Sequence, residues 1–550
     1  RTEILDRIRG VSCDMLVVGG GVTGASIARD AAMRGIKVVL VDKNDFAWGT
    51  SSRSSKLIHG GFRYLEQMDF RLVFESTQER ATLSRIAPHL VTPCPFIYPS
   101  YKGDRYGPVM VGMGMWLYDM LATFRVYRRH RMLSRAAVEE RVPELERRGL
   151  SGAALYYDAM THDAFFTVSV IEDSVKHGAF CANYLAYEGA VYQAGKVVGA
   201  RLRDGETGEQ LTVKTPWIVH AAGPYTDDVQ ARAGLVGSAM IRPTKGVHIA
   251  VSREKLPLDA ALVMSSRRDN RVTFALPWGD VTAIGTTDTD HSGSVYDVHA
   301  NKGDVDYLLD VARSYFPGVE IGYDDIISTW AGLRPLLRTD QQSSYKVSRE
   351  HAVISDPSGV LTVCGGKLTT CRKMAKDVVD TFLNHQPRSV QSNIRSCNTD
   401  EVPIVGGDGL GSFDDLEPLI DELANEFNLS REQSEYFVRT YGSRARSFLE
   451  EDFAQDGGMK SMVPGLPYVF GEIDLAVRRL FARKTADILI RRCPVFYKAP
   501  DQGLAVAPEV AKRVAELLGR SEADAEEDLR AYQSEVEDSR RWRNELDAAS

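Results

Sequence analysis

The chain has 550 residues, 43% of them hydrophobic, and a formal net charge of −8. This length predicts more than one domain, and the acidic balance gives no domain-wide basic surface for nucleic acid. Seven cysteines are scattered without CxxC spacing, which argues against a disulfide scaffold, a zinc site or a dithiol redox centre and fits a reducing compartment.

The first predicted elements form a β-turn-α-β unit. DMLVV at 14–18 is typical of a short buried strand, a glycine-rich turn follows, and the Ala-rich stretch at 23–34 is predicted to be a helix. KVVLV at 37–41 is a second strand that closes at Asp42. Strands joined by such a crossover are expected to be parallel.

The remaining elements follow at some distance along the chain. In order, we predict β regions at 190–202 and 210–219, an antiparallel sheet within 246–288, a strand, glycine turn and helix over 361–383, a linker near 386–412 and helices from 416 onward. No apolar run reaches the ~18 residues of a membrane-spanning helix. The apolar run VMVGMGMWLYDML at 109–121 is interrupted by Asp119 and favours a buried or interfacial helix.

The glycine turn of the first unit carries a nucleotide-binding pattern. GGGVTG places Gly19, Gly21 and Gly24 in GxGxxG register between a strand and a helix, where the helix N-terminus binds a pyrophosphate. Asp42 ends the next strand, where its carboxylate can accept hydrogen bonds from ribose hydroxyls. The residues therefore predict dinucleotide binding. They leave NAD and FAD open, although the absence of a second GxGxxG fits one FAD that a substrate reduces directly.

A donor-rich stretch follows, SSRSSKLIHGGFRYLE at 51–66. Its density of hydroxyl and cationic groups indicates an anion or a reactive centre. The stretch resembles the signature of FAD-dependent glycerol-3-phosphate dehydrogenases. The resemblance continues through YYDAMTHDA at 156–164, HAAGPYTDD at 220–228, TKGVHI at 244–249, LPWGDVTAIGTTDTD at 276–290, WAGLRPLL at 330–337, CGGKLTTCRKMA at 364–375, RTYGSRA at 439–445 and PYVFGEIDLAVRRLFARKTADILIRR at 467–492.

This resemblance implies an α/β fold with three parts. They are an FAD-binding Rossmann-like domain of the glutathione-reductase/D-amino-acid-oxidase type, an interleaved antiparallel-sheet substrate (cap) domain, and a C-terminal all-helical domain. The predicted bounds are 1–95, 150–243 and 345–386 for the FAD-binding domain, 96–149 and 244–344 for the cap, 387–412 for a linker and 413–550 for the helical domain.

The implied reaction oxidises sn-glycerol 3-phosphate to dihydroxyacetone phosphate, with hydride transfer from C2 to flavin N5. Arginine forks suit a phosphate dianion, and the resemblance assigns this role to Arg63 and Arg334, with Arg349 behind them and Tyr64 as a neutral donor. Lys367, in the GGK turn, is expected to face the substrate oxygens or the flavin's N1/O2 edge.

Two histidines are candidates for the base that takes the C2 hydroxyl proton, His59 and His248, because imidazole is the usual general base near neutral pH. An arginine-assisted or water-mediated route is left open. Thr287 and Asp288 are expected to shape the substrate side. The implied FAD-binding residues are Gly19, Gly20, Gly21, Thr23, Gly24, Asp42, Lys43, Thr50, Ser51, Ser52, Ser55, Lys56, Leu57, Gly223, Gly366, Lys367, Leu368 and Thr369.

The resemblance also suggests a quinone in the membrane as electron acceptor. An apolar stretch at 106–124 precedes the basic run RVYRRHRMLSR at 125–135, a combination that suits an anionic membrane surface. We expect a monotopic protein on the cytoplasmic face of a bacterial inner membrane, and the family suggests a homodimer.

Three alternatives differ from this interpretation. A glycerol-3-phosphate oxidase would pass its electrons to O₂ and make H₂O₂. An amino-acid oxidase of the same fold would bind a carboxylate substrate, for which one arginine suffices. A flavin-bound membrane scaffold would have no substrate.

Overall fold

The computed structural model describes residues 1–235, 237, 239–338, 350–454 and 457–547, except the side chains of residues 2, 63, 66, 67 and 547. The side chain of Arg63 and the whole of Arg349 therefore lie outside the described residues. In chain order the strands are β1 Met15–Val18, β2 Val38–Val41, β3 Leu57–Ile58, β4 Thr92–Tyr101, β5 Arg131–Ser134, β6 Leu150–Met160, β7 Phe180–Ala182, β8 Leu185–Gln193, β9 Lys196–Asp204, β10 Gln210–Lys214, β11 Ile218–His220, β12 Ile241–Ser252, β13 Ala261–Ser265, β14 Val272–Trp278, β15 Val281–Gly285, β16 Thr289–Asp290, β17 Ile326–Leu337, β18 His351–Asp356 and β19 Val360–Gly365.

The helices are distributed along the whole chain and dominate its C-terminal part. They are α1 Thr2–Gly10, α2 Val22–Arg34, α3 Phe70–Ile86, α4 Pro108–Leu121, α5 Arg135–Arg141, α6 Asp163–Lys176, α7 Thr226–Arg232, α8 Lys302–Tyr315, α9 Cys371–Asn384, α10 Arg388–Gln391, α11 Leu416–Glu426, α12 Arg431–Tyr441, α13 Ala445–Glu451, α14 Gly471–Arg478, α15 Val495–Lys498, α16 Ala507–Leu518, α17 Glu522–Arg540 and α18 Asn544–Asp547.

The predicted β-turn-α-β unit forms the centre of a six-stranded sheet in the order β18-β19-β11-β1-β2-β7. β1 pairs in parallel with β2 and β11, and β18 is an antiparallel edge strand. The four residues of β1 are all buried, as expected for a parallel strand covered on both faces. α2 packs between α6 and α9, and its Ala25, Ala28 and Ala31 belong to the core beneath the sheet.

A ten-stranded, mostly antiparallel sheet forms the second layer, in the order β16-β12-β15-β14-β13-β4-β6-β3, with β17 paired to β12 and β5 to β6. With the parallel sheet and the C-terminal helices, this confirms the predicted fold class. The sheet also includes residues 57–58, 92–95 and 150–160, which the predicted bounds place in the FAD-binding domain. The FAD-binding domain and the cap are therefore more interleaved than those bounds describe.

The β region predicted at 190–202 is two strands of a smaller sheet, β8 and β9, rather than one. The chain turns at Ala194 and Gly195, which both have positive φ angles of 49° and 74°. The alternation of buried and exposed residues continues on both sides of this turn, which explains why the pattern alone suggested a single run.

Buried ion pairs fasten the helical C-terminal part to the parallel sheet. Asp45, just after β2, accepts from Arg491 Nε and from Arg492 Nη1 at 2.5 Å each, and Arg491 Nη2 donates to Asp487 at 2.6 Å. Burial by itself would raise the pKa of Asp45, but Arg492 and Arg491 hold it below its usual value. Two acids thus balance two arginines, and removing one partner of such a buried pair costs about 3–5 kcal/mol.

Among the described residues, no helix combines the length and the apolar character needed to cross a membrane.

Candidate active site

A long cleft opens at the carboxyl ends of β1, β2, β11 and β19, the edge at which open α/β sheets bind their ligands. Its empty volume, including its open mouth, is about 1320 Å³. Asp42 and Lys43 line one part of it, the turn at Gly19–Thr23 the middle, and Gly366 and Lys367 another part.

The glycine turn has the tight geometry that a backbone-lined anion site needs. Gly19 has a φ of +112°, and a β-carbon on Gly24 would collide with the Gly19 carbonyl oxygen. α2 therefore begins directly against β1. The Ser51 hydroxyl accepts a hydrogen bond from the Val22 N–H at 2.9 Å and so ties the start of the donor-rich stretch to the first turn of α2.

Asp42 lies at the end of β2 with its carboxylate fixed by the backbone. It accepts from the Gly20 N–H at 2.7 Å and from the Asn44 N–H at 2.9 Å. Burial raises the pKa of Asp42 to about 6, against these two hydrogen bonds, which lower it. The carboxylate lines the cleft where a ribose would lie if the pyrophosphate occupied the glycine turn.

Two tyrosines from different parts of the fold close the cleft beside Asp42. Tyr225 follows β11, and Tyr296 comes from the loop between β16 and α8; their rings stack at 5.0 Å between centroids. The Lys43 ammonium lies 3.8 Å from the centroid of the Tyr296 ring, and the Tyr296 hydroxyl donates to Asp228 at 2.6 Å. The cap loop is thus fastened across the cleft by aromatic, cation–π and hydrogen-bond contacts.

A second cavity lies between the donor-rich stretch and the ten-stranded sheet, with an empty volume of about 990 Å³ that includes its open mouth. We call it the substrate cavity. It is lined by Ser55, Leu57, His59, Gly61, Phe62, Tyr64, Phe96, Tyr98, Tyr156, Asp158, Val263, Arg271, Val272, Phe274, Thr286, Asp288 and Arg334.

Two arginines line the substrate cavity, and Asp288 orients both of them. Arg334, on β17, donates to the Asp288 carboxylate at 3.0 Å and to the Thr286 hydroxyl at 2.9 Å. Arg271, at the start of β14, donates to the Asp288 carbonyl oxygen. Guanidinium groups held in this way are oriented before an anion arrives.

Much of the donor-rich stretch is used to fix its own backbone. Asp163, at the start of α6, is fully buried and accepts from the Ser54 N–H at 3.0 Å, the Ser54 hydroxyl at 2.6 Å and the Lys56 ammonium at 2.7 Å. Lys56 also lies over the rings of Trp278 and Tyr497 at 4.6 and 4.9 Å. Its ammonium is directed into the protein, away from the cleft to which we had assigned it.

Asp158 holds the other end of the stretch. Its buried carboxylate accepts from the Gly60 N–H at 3.2 Å and from the Tyr118 hydroxyl at 2.8 Å, and it pairs with Arg80. A β-carbon on Gly60 would collide with the Tyr118 hydroxyl. This contact brings α4, which carries Tyr118, directly against the glycine pair that follows His59.

The two candidate bases occupy different environments. His59 lines the substrate cavity, and its backbone N–H donates to Thr369 Oγ1 at 3.1 Å. His248 lines neither cavity: it stacks on Trp330 at 4.9 Å and its Nε2 lies 2.8 Å from the Ser55 hydroxyl. Burial, and then the charges of Arg334 and Lys56, lower the pKa of His248 well below its usual value, so His248 is neutral at physiological pH.

The predicted site residues divide between the two cavities and their supports. Those lining the cleft are Gly19, Gly21, Thr23, Asp42, Lys43, Thr50, Ser51, Gly223, Gly366, Lys367 and Leu368. Those lining the substrate cavity are Ser55, Leu57, His59, Tyr64, Asp288 and Arg334. The remaining predicted residues line neither cavity and instead support the backbone or the ten-stranded sheet. They are Gly20, Gly24, Ser52, Lys56, His248, Thr287 and Thr369.

Sequence reasoning missed several residues of this site. Asp158 and Asp163 stand five positions apart in YYDAMTHDA, a segment that the resemblance included, but about a hundred positions separate them from the stretch that they hold. Arg271 and Tyr296 carried no signal, because strand pairing and loop packing bring them to the cavities.

Comparisons with known proteins agree with this architecture. Residues 14–380 match the family described as FAD dependent oxidoreductase, and residues 397–525 match the C-terminal domain of alpha-glycerophosphate oxidase. An aerobic glycerol-3-phosphate dehydrogenase of Staphylococcus haemolyticus is 33% identical over 99% of this chain and 98% of its own length. That of Staphylococcus aureus (strain USA300) is 35% identical over 98% and 96%.

Solved structures give the same result. The glycerol-3-phosphate dehydrogenase from Bacillus halodurans, complexed with FAD, has a TM-score of 0.81 and 28% identity over 98% of this chain and 97% of its own. The L-proline dehydrogenase of P. horikoshii, at 15% identity and a TM-score of 0.54 over 69% of this chain and 96% of its own, shares the fold alone.

The cleft suits FAD in shape and chemistry. A Cβ at Gly21 would lie 3.1 Å from the Ser51 hydroxyl, a tight contact, and glycine leaves the backbone there open for a pyrophosphate. Asp42 offers a carboxylate for ribose, and the lining continues through Gly366 and Lys367 toward the substrate cavity. FAD is therefore the cofactor that the cleft is built to hold.

Replacing Tyr296 is expected to speed FAD release. Tyr296→Ala removes a ring stack and a cation–π contact, together worth about 1–2.5 kcal/mol, so the rate of FAD loss should rise by roughly five- to seventy-fold. Tyr296→Phe keeps the ring and serves as the matched control. The rise in flavin fluorescence after dilution into FAD-free buffer measures the rate; equal rates in both variants and the parent would show that this contact does not retain FAD.

The matches, the glycine turn and the two-cavity layout agree with the resemblance found in the sequence, which is thereby confirmed. The chain belongs to the FAD-dependent oxidoreductase family and, within it, to the group of the aerobic glycerol-3-phosphate dehydrogenases.

Proposed function

We propose that this protein oxidises sn-glycerol 3-phosphate to dihydroxyacetone phosphate and passes the electrons to a membrane quinone. The observation that carries the substrate assignment is the pair Arg271 and Arg334 in a cavity next to the FAD cleft. Glycerol 3-phosphate combines a dianionic phosphate with a secondary alcohol. The arginines bind the phosphate, and the secondary alcohol then lies toward the cofactor. The activity named for the bacterial relatives agrees with this assignment.

The phosphate end of the cavity fixes the orientation of the substrate. Arg334 and Arg271 are held by Asp288 and Thr286 before substrate arrives, so little side-chain entropy is lost on binding. Arg63 and Tyr64 stand in the same stretch; Tyr64 lines the cavity and lies under the Lys367 ammonium at 3.9 Å from its ring centroid. We assign the phosphate to Arg334, Arg271 and Arg63, with Tyr64 as a neutral donor.

Proton transfer is assigned to His59. His59 lines the cavity, and the Asp158–Gly60 and Thr369–His59 hydrogen bonds fix its backbone on both sides. Bound FAD supplies the acceptor for the C2 hydride. His59 takes the hydroxyl proton, while His248 Nε2, 2.8 Å from the Ser55 hydroxyl, holds that side chain at the cavity wall. Lys367 lies at the passage between cleft and cavity, where its charge favours the electron-rich form of the cofactor.

The proposal of a membrane quinone as the electron acceptor is based on the exposed surface of α4. One side of this helix is buried, but Val109, Met113 and Trp116 are 78%, 55% and 57% exposed on the other. Exposed apolar residues of the neighbouring α3 region, Met68, Phe70 and Phe74, add to this surface, which we call the α4 face. A cluster of exposed apolar side chains of this kind is typical of insertion into a membrane interface.

The cytoplasmic face of a bacterial inner membrane is the proposed location, because basic residues follow the α4 face directly and anionic lipids attract them. The alternative acceptor is O₂. It would give stoichiometric H₂O₂ in air and little dependence on quinone. A homodimer stays a prediction from the family resemblance.

Substitution of the cavity arginines is expected to weaken substrate binding selectively. Arg271→Ala and Arg334→Ala each remove charge-assisted hydrogen bonds worth about 1.5–3 kcal/mol, so KM for glycerol 3-phosphate should rise about tenfold to a hundredfold. FAD content should be unchanged. Steady-state kinetics with a soluble dye measures KM.

Arg268→Ala is the matched control, since Arg268 lies three positions from Arg271 and pairs with Asp310 on the surface. An unchanged KM in both Arg271→Ala and Arg334→Ala would remove these residues from the phosphate site.

Reversing charges beside the α4 face is expected to abolish membrane binding. Arg128, Arg129 and Arg131 are exposed, and each basic residue near an anionic surface contributes about 1 kcal/mol. Changing all three to Glu should lower affinity for anionic vesicles by more than a hundredfold in a sedimentation assay.

The control changes Arg7, Arg431 and Arg530 to Glu. These arginines are also exposed, and their replacement gives the same change of net charge. Intact vesicle binding of the Arg128/Arg129/Arg131 variant would contradict the proposed membrane surface.

A further inference from the structure

The loop that carries Tyr296 over the FAD cleft, residues 291–301, has little packing of its own. These residues, all of them described, contain no helix or strand, and more than half of them are exposed. Behind the loop lies a cavity with an empty volume of about 480 Å³, including its open mouth; residues 298–300 line one side of it, and Glu535 and Asp538 of α17 line the other. A segment with few buried contacts opens locally at a low cost in free energy. The loop therefore depends on contacts from elsewhere in the fold to keep its tyrosine in place.

The end of the chain supplies such contacts. We call residues 539–546 the C-terminal arm. Arg541 Nη1 donates to the Asp297 carboxylate at 3.1 Å, and the Glu545 carboxylate accepts from the Lys302 N–H at 3.1 Å. The arm thus contacts the loop directly beside its tyrosine and again where α8 begins.

Trp542 anchors the arm in the cap. It is 1% exposed and belongs to the buried cluster that includes Leu308 of α8, and its ring lies 5.8 Å from that of Tyr323 between centroids. Arg543, the next residue, donates to the Tyr323 and Ile326 carbonyl oxygens at 3.2 and 3.0 Å. The arm is therefore docked in the core of the cap and not only on its surface.

The buried ring contributes more to this docking than the ion pair does. The side chains of Arg541 and Asp297 are 43% and 61% exposed, and exposed ion pairs stabilise a protein little. A buried tryptophan, in contrast, removes a large apolar surface from water. Arg541 and Glu545 thus set the position of the arm against the loop, and Trp542 keeps the arm docked.

We propose that Trp542 is a positioning residue for the cofactor, because the arm that it anchors holds Tyr296 across the FAD cleft. Tyr296 fastens one part of the loop to Tyr225, Lys43 and Asp228, and the arm fastens the part that follows. Without the arm the loop is fastened by its tyrosine alone, so the cleft opens more often and FAD dissociates faster. This inference depends on FAD binding and not on the identity of the substrate or of the electron acceptor.

The test compares the rate of FAD loss in the parent, Trp542→Ala, Tyr296→Ala and the double variant. Full-length, FAD-loaded protein is diluted into FAD-free buffer, and the rise in flavin fluorescence gives the rate. Trp542→Phe keeps a ring in the cap core and is the matched control. The double variant separates a positioning role from general damage, since residues that act through one another have non-additive effects.

We expect Trp542→Ala to lose FAD at least roughly fivefold faster than the parent, and Trp542→Phe to stay within about twofold of it. In the Tyr296→Ala background, the Trp542→Ala change should alter the rate by less than about twofold, because the tyrosine through which the arm acts is already absent.

A rate for Trp542→Ala within about twofold of the parent would overturn the proposal. An equal acceleration by Trp542→Ala in both backgrounds would also overturn it, since the arm would then act on the whole protein and not through Tyr296. Unchanged FAD loss in Tyr296→Ala itself would do the same. If Trp542→Ala does not fold, Arg541→Ala combined with Glu545→Ala, in the same two backgrounds and by the same criteria, decides the question.

Discussion

Two buried carboxylates, Asp158 and Asp163, hold the backbone on which both cavities depend. Asp163 binds Ser54 and Lys56, and Asp158 binds Gly60 and pairs with Arg80. The stretch between them leaves the cofactor cleft at Ser51 and enters the substrate cavity at Ser55. Each acid is buried beside one cation, so each pair is neutral. Because removal of one partner leaves an uncompensated buried charge, the stretch has little freedom to move.

The hydrogen bonds of Asp158 also connect the helix α4 to the loop that carries His59. Tyr118 lies on the buried side of α4 and donates to the carboxylate that holds Gly60, while Trp116 and Met113 on the same helix are exposed. The helix assigned to the membrane therefore contacts the loop that carries His59. At the other side of the fold, Asp45 with Arg491 and Arg492 fixes the C-terminal helices to the parallel sheet, so the cofactor cleft is bounded by rigid elements.

Local patterns in the sequence predicted the part of the site that local geometry determines. The GxGxxG turn, α2 and Asp42 follow from strand, glycine and helix signals within some thirty residues, and the structure has them in place. The donor-rich stretch was recognised, but the sequence did not show where its donors point. The Lys56 ammonium, for example, donates to Asp163, which lies more than a hundred positions later. His248 was a candidate base by residue type, and its stack on Trp330 and its contact with the Ser55 hydroxyl could not be read from the sequence. Arg271 reaches its cavity through the pairing of distant strands and Tyr296 through the packing of a loop, and no local pattern reports either.

The central claim is that glycerol 3-phosphate reduces the bound flavin directly. Anaerobic addition of saturating sn-glycerol 3-phosphate to the FAD-loaded protein, followed by its visible absorbance, tests this in one step. The account predicts that the yellow flavin band is bleached by glycerol 3-phosphate and persists with glycerol or lactate at the same concentration. A flavin band that persists with glycerol 3-phosphate would contradict it.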